Sequence, residues 1–481
     1  MKEVSEMSQY YLAVDIGASS GRHMLARIQD GKIKLEEIYR FENGMKRVEG
    51  KLLWDTEHLF NEIINGMKKC KELNKIPVSM SIDTWAVDYV LLDENDHVLG
   101  DSYGYRDHRT DGMDEVVNKV INEKELYAKT GIQKQIFNTI YQLTAVKENT
   151  PELLEKAKTF VMLPDYFQFL LTGNKMCEYT NASTTQLVSP ETYQWDEELI
   201  ESLGLPKDIF LPISMPGTLV GSLKEDIKKE VGFDLDVVLC GSHDTASAVM
   251  AVPESTGESV YISSGTWSLM GIESKKAIIN DEARTANFTN EGGYDHRFRF
   301  LKNIMGLWMI QSIRHEYNDA YSFAQLCELA QENKDFPSRV DVNDDKFLSP
   351  DNMTQAVQDY CKETGQRVPE TIGELAEVVY QSLAICYKKA IDNLEDIAGK
   401  TYNSIHIIGG GSNAAYLNQL TANATGKKIY AGPSEASALG NMLAQMIRNE
   451  EFTSLQNARI CVFDSFDIKK YIPKKRRINK C

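Results

Sequence analysis

The sequence predicts an α/β protein with an internal duplication, and three observations carry that reading. The strand, small-residue turn and strand of "YLAVDIGASSGRHMLARI" (Tyr11–Ile28) has a second version in "ESVYISSGTWSLMGIE" (residues 258–273). Apolar strand patterns alternate with helical ones along the whole chain. The closing block from Ser404 onward reads as strand, Gly-rich turn, helix, short strand and helix. With 481 residues and 42% hydrophobic content, the chain suffices for two or three domains that each bury a core.

Taken in order, the first strand and turn lead into a second strand, and "KIKLEEIYRF" alternates well enough to make a third, an antiparallel meander. "WDTEHLFNEIINGMKKCKEL" has helical spacing, with Asp55 or Thr56 placed to cap it. "VSMSIDTWAVDYVLLD" returns to strand. "VVLCGSHDTASAVMAV" (Val237–Val252) runs from a strand through a polar turn into small residues that read as a helix. Pro253 and Gly257 then break the pattern, so the boundary is expected near residues 245–257, giving domains 1–250 and 251–481. "ELAEVVYQSLAICYKKAIDNLEDIAG" is a long helix that precedes the closing block.

Composition excludes several functions. A formal net charge of −17 argues against a nucleic-acid surface, because binding polyphosphate relies on cations that release counterions. No apolar run has the length of a signal peptide or a membrane span, so a cytoplasmic protein is expected. The eight cysteines form no CxxC pair or zinc-ligand cluster, and reduced thiols are expected. The basic run Lys469–Cys481 reads as a solvated, mobile terminus that could touch an acidic partner.

The turns suggest the chemistry. "GASSG" and "SSGT" can present backbone N–H groups to an anion, although an ordinary hairpin explains each one alone. Neither is a P-loop, since the chain lacks GxxxxGK[ST]. Asp15 ends the first strand, where a carboxylate either holds a magnesium ion through water or bonds the following amides. "IIGGGSN" either lets the backbone approach a purine or ribose, or serves close packing. His243 and Asp244 stand at the mouth of a strand-to-helix turn. There Asp244 either caps the helix together with Thr245, or accepts a hydroxyl proton in phosphoryl transfer.

The motifs "VDIGASSGR", "IDTWAVDYVLLD", "YRDHRT", "MLPDYFQFLLTG", "EYTNASTTQLV", "SHDTASAV", "SSGTWSLMG", "KNIMGLW" and "IIGGGSN…AGPSEASALGN" together resemble the FGGY carbohydrate kinases, in their rhamnulokinase branch. The resemblance runs from about residue 10 to about residue 445. It implies two actin-like, ribonuclease-H-like domains with ATP and a sugar in an interdomain cleft, and transfer of the ATP γ-phosphate to the 1-hydroxyl of L-rhamnulose. It further implies ATP contacts at Ala18, Ser19, Ser20, Gly21, Arg22, Thr266, Gln311 and Gly410, with Mg2+ at Asp15. Sugar contacts fall on Ala86, His243, Asp244, Thr245 and Asn303, with Asp244 as the base. One position departs from the family: Trp-Gly-Val-Asp is usual where this chain reads Trp85-Ala86-Val87-Asp88, so the choice among ketoses stays open.

Three rivals remain on the sequence alone. One is a kinase for another deoxy-ketose such as L-fuculose. Another is a non-enzymatic actin-like nucleotide-binding protein, which has no use for His243, Asp244, Asn303 and Trp85. The third is a glycosidase using Asp83, Asp88 and Asp244, which has no use for two phosphate turns. Oligomeric state is left between monomer and homodimer.

Overall fold

The structure is a computed structural model that describes residues 9–254 and 256–474. The chain divides into two compact units. One comprises the chain up to Ala251 together with Glu273–Phe300 and Ser437–Ser465; the other comprises Val252–Ile272, Leu301–Ala436 and the chain from Phe466.

The first unit is built on a six-stranded sheet. Its order is Leu219–Ser222, Asp236–Val238, Pro77–Thr84, Tyr10–Ile16, Ser20–Gln29, Lys32–Glu42. The predicted meander is present, Tyr10–Ile16 pairing antiparallel with Ser20–Gln29 and that strand with Lys32–Glu42. On its other side Tyr10–Ile16 pairs in parallel with Pro77–Thr84. Leu12, Val14, Ile16, Met80, Ile82 and Val237 are fully buried, as strands covered on both faces require. Against them pack Leu59, Ile63 and Met67 of the helix Thr56–Glu72, whose N-cap Asp55 accepts the His58 N–H at 2.9 Å.

The second hairpin, Val260–Ser264 with Trp267–Ser274, is also antiparallel, and Val260–Ser264 pairs in parallel with Ser404–Ile408. Its seven-stranded sheet runs Thr289–Gly292, Phe298–Met305, Trp267–Ser274, Val260–Ser264, Ser404–Ile408, Lys428–Ala431, Lys469–Tyr471. From Phe298–Met305 to Ser404–Ile408 the order repeats that from Lys32–Glu42 to Pro77–Thr84, but the outermost strand here, Lys469–Tyr471, follows its neighbour in the chain, whereas Leu219–Ser222 precedes Asp236–Val238. The long predicted helix is Ile372–Ala398, started by a Thr371/Glu374 capping box and stopped by Gly399 at φ +62°.

The basic tail corrects the sequence expectation. Lys469–Tyr471 is an edge strand, antiparallel to Lys428–Ala431 and so not mobile, although both lysines are exposed to solvent as expected. Residues 475–481 lie outside the described part. Among the described residues no helix is long and apolar enough to cross a membrane.

Candidate active site

In the first unit, parallel pairing makes Asp15 and Asp83 register partners at the ends of adjacent strands. Asp15 Oδ2 accepts Arg22 Nε at 3.0 Å and Nη2 at 2.9 Å. Asp83 is fully buried; Oδ2 accepts from Asn441 Nδ2 at 2.6 Å, and Oδ1 has no hydrogen-bond partner. Burial, and after it the charge of Asp15, pushes the Asp83 carboxyl well above the usual range.

Asp244 joins this group through the turn before it. Thr84 N donates to Ser242 O at 2.9 Å, stitching the turn to the end of the Asp83 strand. The buried Glu178 carboxylate fixes the turn from the other side. Its Oε2 accepts Ser242 N at 3.1 Å, Ser242 Oγ at 2.5 Å, Thr180 Oγ1 at 2.7 Å and Asn181 N at 3.1 Å, while Oε1 accepts Thr180 N at 2.8 Å. The capping expectation needs correction. His243, not Asp244 or Thr245, occupies the N-cap of the helix Asp244–Met250, and its side chain makes no cap bond. Asp244 is the first helical residue, with Oδ1 accepting Thr245 N at 2.5 Å and Thr245 Oγ1 at 3.1 Å. Among the described residues Oδ2 carries no hydrogen bond, and the side chain keeps 32% of its surface exposed. Burial raises the pKa of Asp244, and the charge of Asp15 adds to the shift.

The loop after Asp83 forms an aromatic wall. Trp54 and Trp85 lie with ring centroids 4.0 Å apart, and both indole N–H groups donate to Asp88 Oδ2, at 2.7 Å and 2.9 Å. Tyr105 N and Gln142 Nε2 also donate to Asp88, whose pKa burial raises to about 6. Asp88 is therefore engaged in holding two tryptophans, which removes it as a partner carboxylate for hydrolysis. Val87 stands at φ +68°, rare for a β-branched residue, with Asp88 N bonded to Ala86 O across it. Thr139 Oγ1 and Gln142 Nε2 donate to the Val87 carbonyl and hold this turn, whose first residue, Ala86, is half-buried.

In the first turn, Gly17 N donates to Ser20 O at 2.9 Å, with Ala18 and Ser20 half-buried and Ser19 exposed. Gly21 has a packing reason of its own, since a Cβ there would lie 2.1 Å from the Phe41 ring.

The second unit repeats the frame with neutral groups. Gly265 N donates to Trp267 O at 2.8 Å, and the exposed Thr266 donates to Gln311 Oε1 at 3.3 Å. Leu307 N and Trp308 N bond the carbonyls of Gly265 and Thr266, tying the turn to the helix Trp308–Glu316. That approach requires Gly306, where a Cβ would lie 2.6 Å from Ser268 N. The three glycines of the closing block separate by role. Gly409 and Gly411 pack on Ser264, with a Gly411 Cβ only 2.0 Å from its Oγ, whereas Gly410 faces open space. Asn303, also in this unit, carries a buried Oδ1 with no partner.

Residues 10–251 match the N-terminal domain of the FGGY family of carbohydrate kinases, and residues 260–448 match its C-terminal domain. The chain is an FGGY carbohydrate kinase. Within the family it is 53% identical to the rhamnulokinase of Halalkalibacterium halodurans, over 96% of this chain and 98% of that one. It is 45% identical to the rhamnulokinase of Bacillus subtilis, over 96% and 95%. The fold is similar to that of a gluconate kinase from Lactobacillus acidophilus, with a TM-score of 0.79 at 18% identity, covering 97% of this chain and 94% of that one. It is also similar to a Plasmodium falciparum glycerol kinase with ADP, with a TM-score of 0.77 at 14% identity and the same coverage.

For this FGGY kinase, the residues singled out in the sequence fall into two groups. Ala18 to Arg22, Asp15, Ala86, His243, Asp244 and Thr245 belong to the first unit, and Asn303, Thr266, Gln311 and Gly410 to the second. Sequence reasoning missed Glu178, Asn441, Gln142 and Gly306, which hold the others in place. Glu178 stands inside the "EYTNASTTQLV" motif, so its presence was readable and its task was not.

Proposed function

We propose that the chain transfers the γ-phosphoryl group of ATP to the 1-hydroxyl of L-rhamnulose, giving L-rhamnulose 1-phosphate and ADP. The observation that carries the reading is Asp244: a partly exposed carboxylate at a fixed turn, one oxygen held by Thr245 and the other free of hydrogen bonds. Oδ2 accepts the O1 proton as O1 bonds to the γ-phosphorus and the bond to the β-phosphate oxygen breaks. His243, Thr245, Ala86 and Asn303 orient the sugar, the orphaned Asn303 Oδ1 accepting from a hydroxyl. Backbone amides of Ala18 to Arg22 and the Thr266 hydroxyl hold the phosphates, and Gln311 and Gly410 meet the nucleoside. The relatives named rhamnulokinase, up to 53% identical over nearly the full chain, support the choice of ketose.

The residues fit a magnesium ion. Asp15 is a buried carboxylate beside the partnerless Asp83 Oδ1. That is the donor set of a cation which keeps its water and shares the nucleotide phosphates. Asp15 would hold it, and its charge would offset that of the phosphates when bound.

The test is ADP release, coupled to a spectroscopic readout, with L-rhamnulose, L-fuculose and L-rhamnose, each with magnesium and with excess chelator. L-Rhamnulose with magnesium is expected to give the highest kcat/KM. Preference for L-fuculose, or equal turnover of the aldose, overturns the reading.

A further inference from the structure

His243 lies among three charged side chains of its own unit. Its Nδ1 is 3.1 Å from Arg299 Nη2 and 3.3 Å from Glu291 Oε2, and its Nε2 is 3.5 Å from Asp244 Oδ1. Arg299 is fully buried. Its Nε donates to Gly292 O at 2.7 Å, and its Nη2 lies 3.0 Å from Glu291 Oε2. Glu291 is itself buried, so the two charges offset each other inside the fold.

The arrangement decides where the imidazole proton sits. A guanidinium nitrogen donates and has no lone pair with which to accept. A proton on Nδ1 would face the Arg299 N–H across 3.1 Å, so that contact is a hydrogen bond only when Nδ1 is the acceptor. Glu291 Oε2 is within ion-pair range of Nδ1 but takes no hydrogen bond. The Arg299 contact, the shorter of the two at Nδ1, is made by a ring whose single proton is on Nε2, on the side of Asp244.

We infer that Arg299, its charge offset by Glu291, is a positioning residue that fixes His243 in the Nε2–H tautomer, so that the ring donates toward Asp244 and the sugar and cannot take the hydroxyl proton itself. The inference rests on Asp244 being the base. It explains how a histidine can adjoin the reacting hydroxyl without competing for its proton. With the opposite tautomer, the Nε2 lone pair would face the Asp244 carboxylate, repel it, and raise its affinity for a proton.

The tautomer can be read without any substrate. In the full chain labelled with 15N-histidine, long-range 15N–1H correlation spectra resolve the eight histidines, and His243→Gln identifies the signal. A protonated Nε2 with a bare Nδ1 near neutral pH is expected. A protonated Nδ1, alone or in a doubly protonated ring, overturns the inference, whatever the enzyme phosphorylates. The second arm is kinetic. Arg299→Met removes the donor and should lower kcat by about ten- to a hundredfold, the weight of one charge-assisted hydrogen bond. KM for ATP should hold, and the acid limb of kcat/KM should move to higher pH. Arg299→Lys, which keeps a charged donor, should recover part of kcat. Wild-type kcat in Arg299→Met, or a loss that tracks melting temperature with the acid limb unmoved, overturns it. If Arg299→Met does not fold, the wild-type spectrum still decides. A wild-type enzyme that releases no ADP with any ketose would instead remove the kinase reading and leave the tautomer result standing.

Discussion

The two hairpins share one backbone and differ in what they carry. In each, a strand pairs antiparallel across a small-residue turn and in parallel with a later strand. Where the first sets Asp15 against Asp83, the second sets Ser263 against Ile408. Tyr10–Gln29 holds Asp15, Arg22, Arg27 and the buried His23, whereas Val260–Ser274 has no ionisable side chain but Tyr261 and, at its far end, Glu273. Behind the first parallel strand comes the tryptophan wall, and behind the second come glycines pressed on Ser264. The difference teaches that one frame supports two tasks. On the function proposed above, charge is concentrated where the proton and the metal would be handled, and close neutral backbone where the nucleotide would need surface more than field.

The comparison breaks most visibly at Asp244. Asp244→Asn keeps the oxygen that accepts from Thr245 but cannot take a proton, so turnover should fall by roughly two to four orders of magnitude while melting temperature holds. Wild-type turnover in this variant would make the charged unit merely structural.

The next largest effect is on stability. Burial lowers the His23 pKa to about 4, below the value near 6.5 expected for an unfolded chain. Between those values the unfolded chain binds a proton that the folded one refuses. Stability therefore falls as pH drops from 6.5 to 4, by about 3 kcal/mol from this group. Melting temperature against pH for His23→Gln should lack that portion of the slope.

Asp15→Asn tests the metal side. It should lower kcat about ten- to a hundredfold and raise the magnesium needed for half-activity, with KM for the sugar unchanged. Titration of activity with magnesium checks it.

The smallest effects sharpen the neutral half. Gly411→Ala should cost about 1–3 kcal/mol in unfolding experiments, because its Cβ meets Ser264. Gly410→Ala, facing open space, should change stability by less than about 0.5 kcal/mol yet weaken ATP binding, measured by calorimetry.

Local signals made the frame legible. Both hairpins, the Asp55-capped helix and the long helix follow from hydrophobic period and turn residues, which act over a few positions. Asp15 could be picked out because it lies at the end of a strand, and Asp244 because it stands at a strand-to-helix turn. What stayed hidden acts over long separations: Glu178 holding Ser242, Arg299 against His243, Asn441 bonded to Asp83. No periodicity announces a contact between residues 83 and 441. The glycine run was ambiguous for a different reason, since packing and ligand approach call for the same residue and only neighbours such as Ser264 tell them apart.

The helix Ala436–Arg448 sits so close to Asp244–Met250 that a Cβ on Gly440 would lie 1.7 Å from Ser247 O. Residues from 437 on thus complete a unit whose sheet begins at residue 10. During synthesis the first sheet leaves the ribosome long before that helix exists. Until it arrives, the backbone of Asp244–Met250 and the carboxyl of Asp83 lack their covering. The chemistry proposed at Asp244 therefore has to wait for nearly the whole chain, and a nascent chain interrupted before residue 437 emerges without a finished first unit.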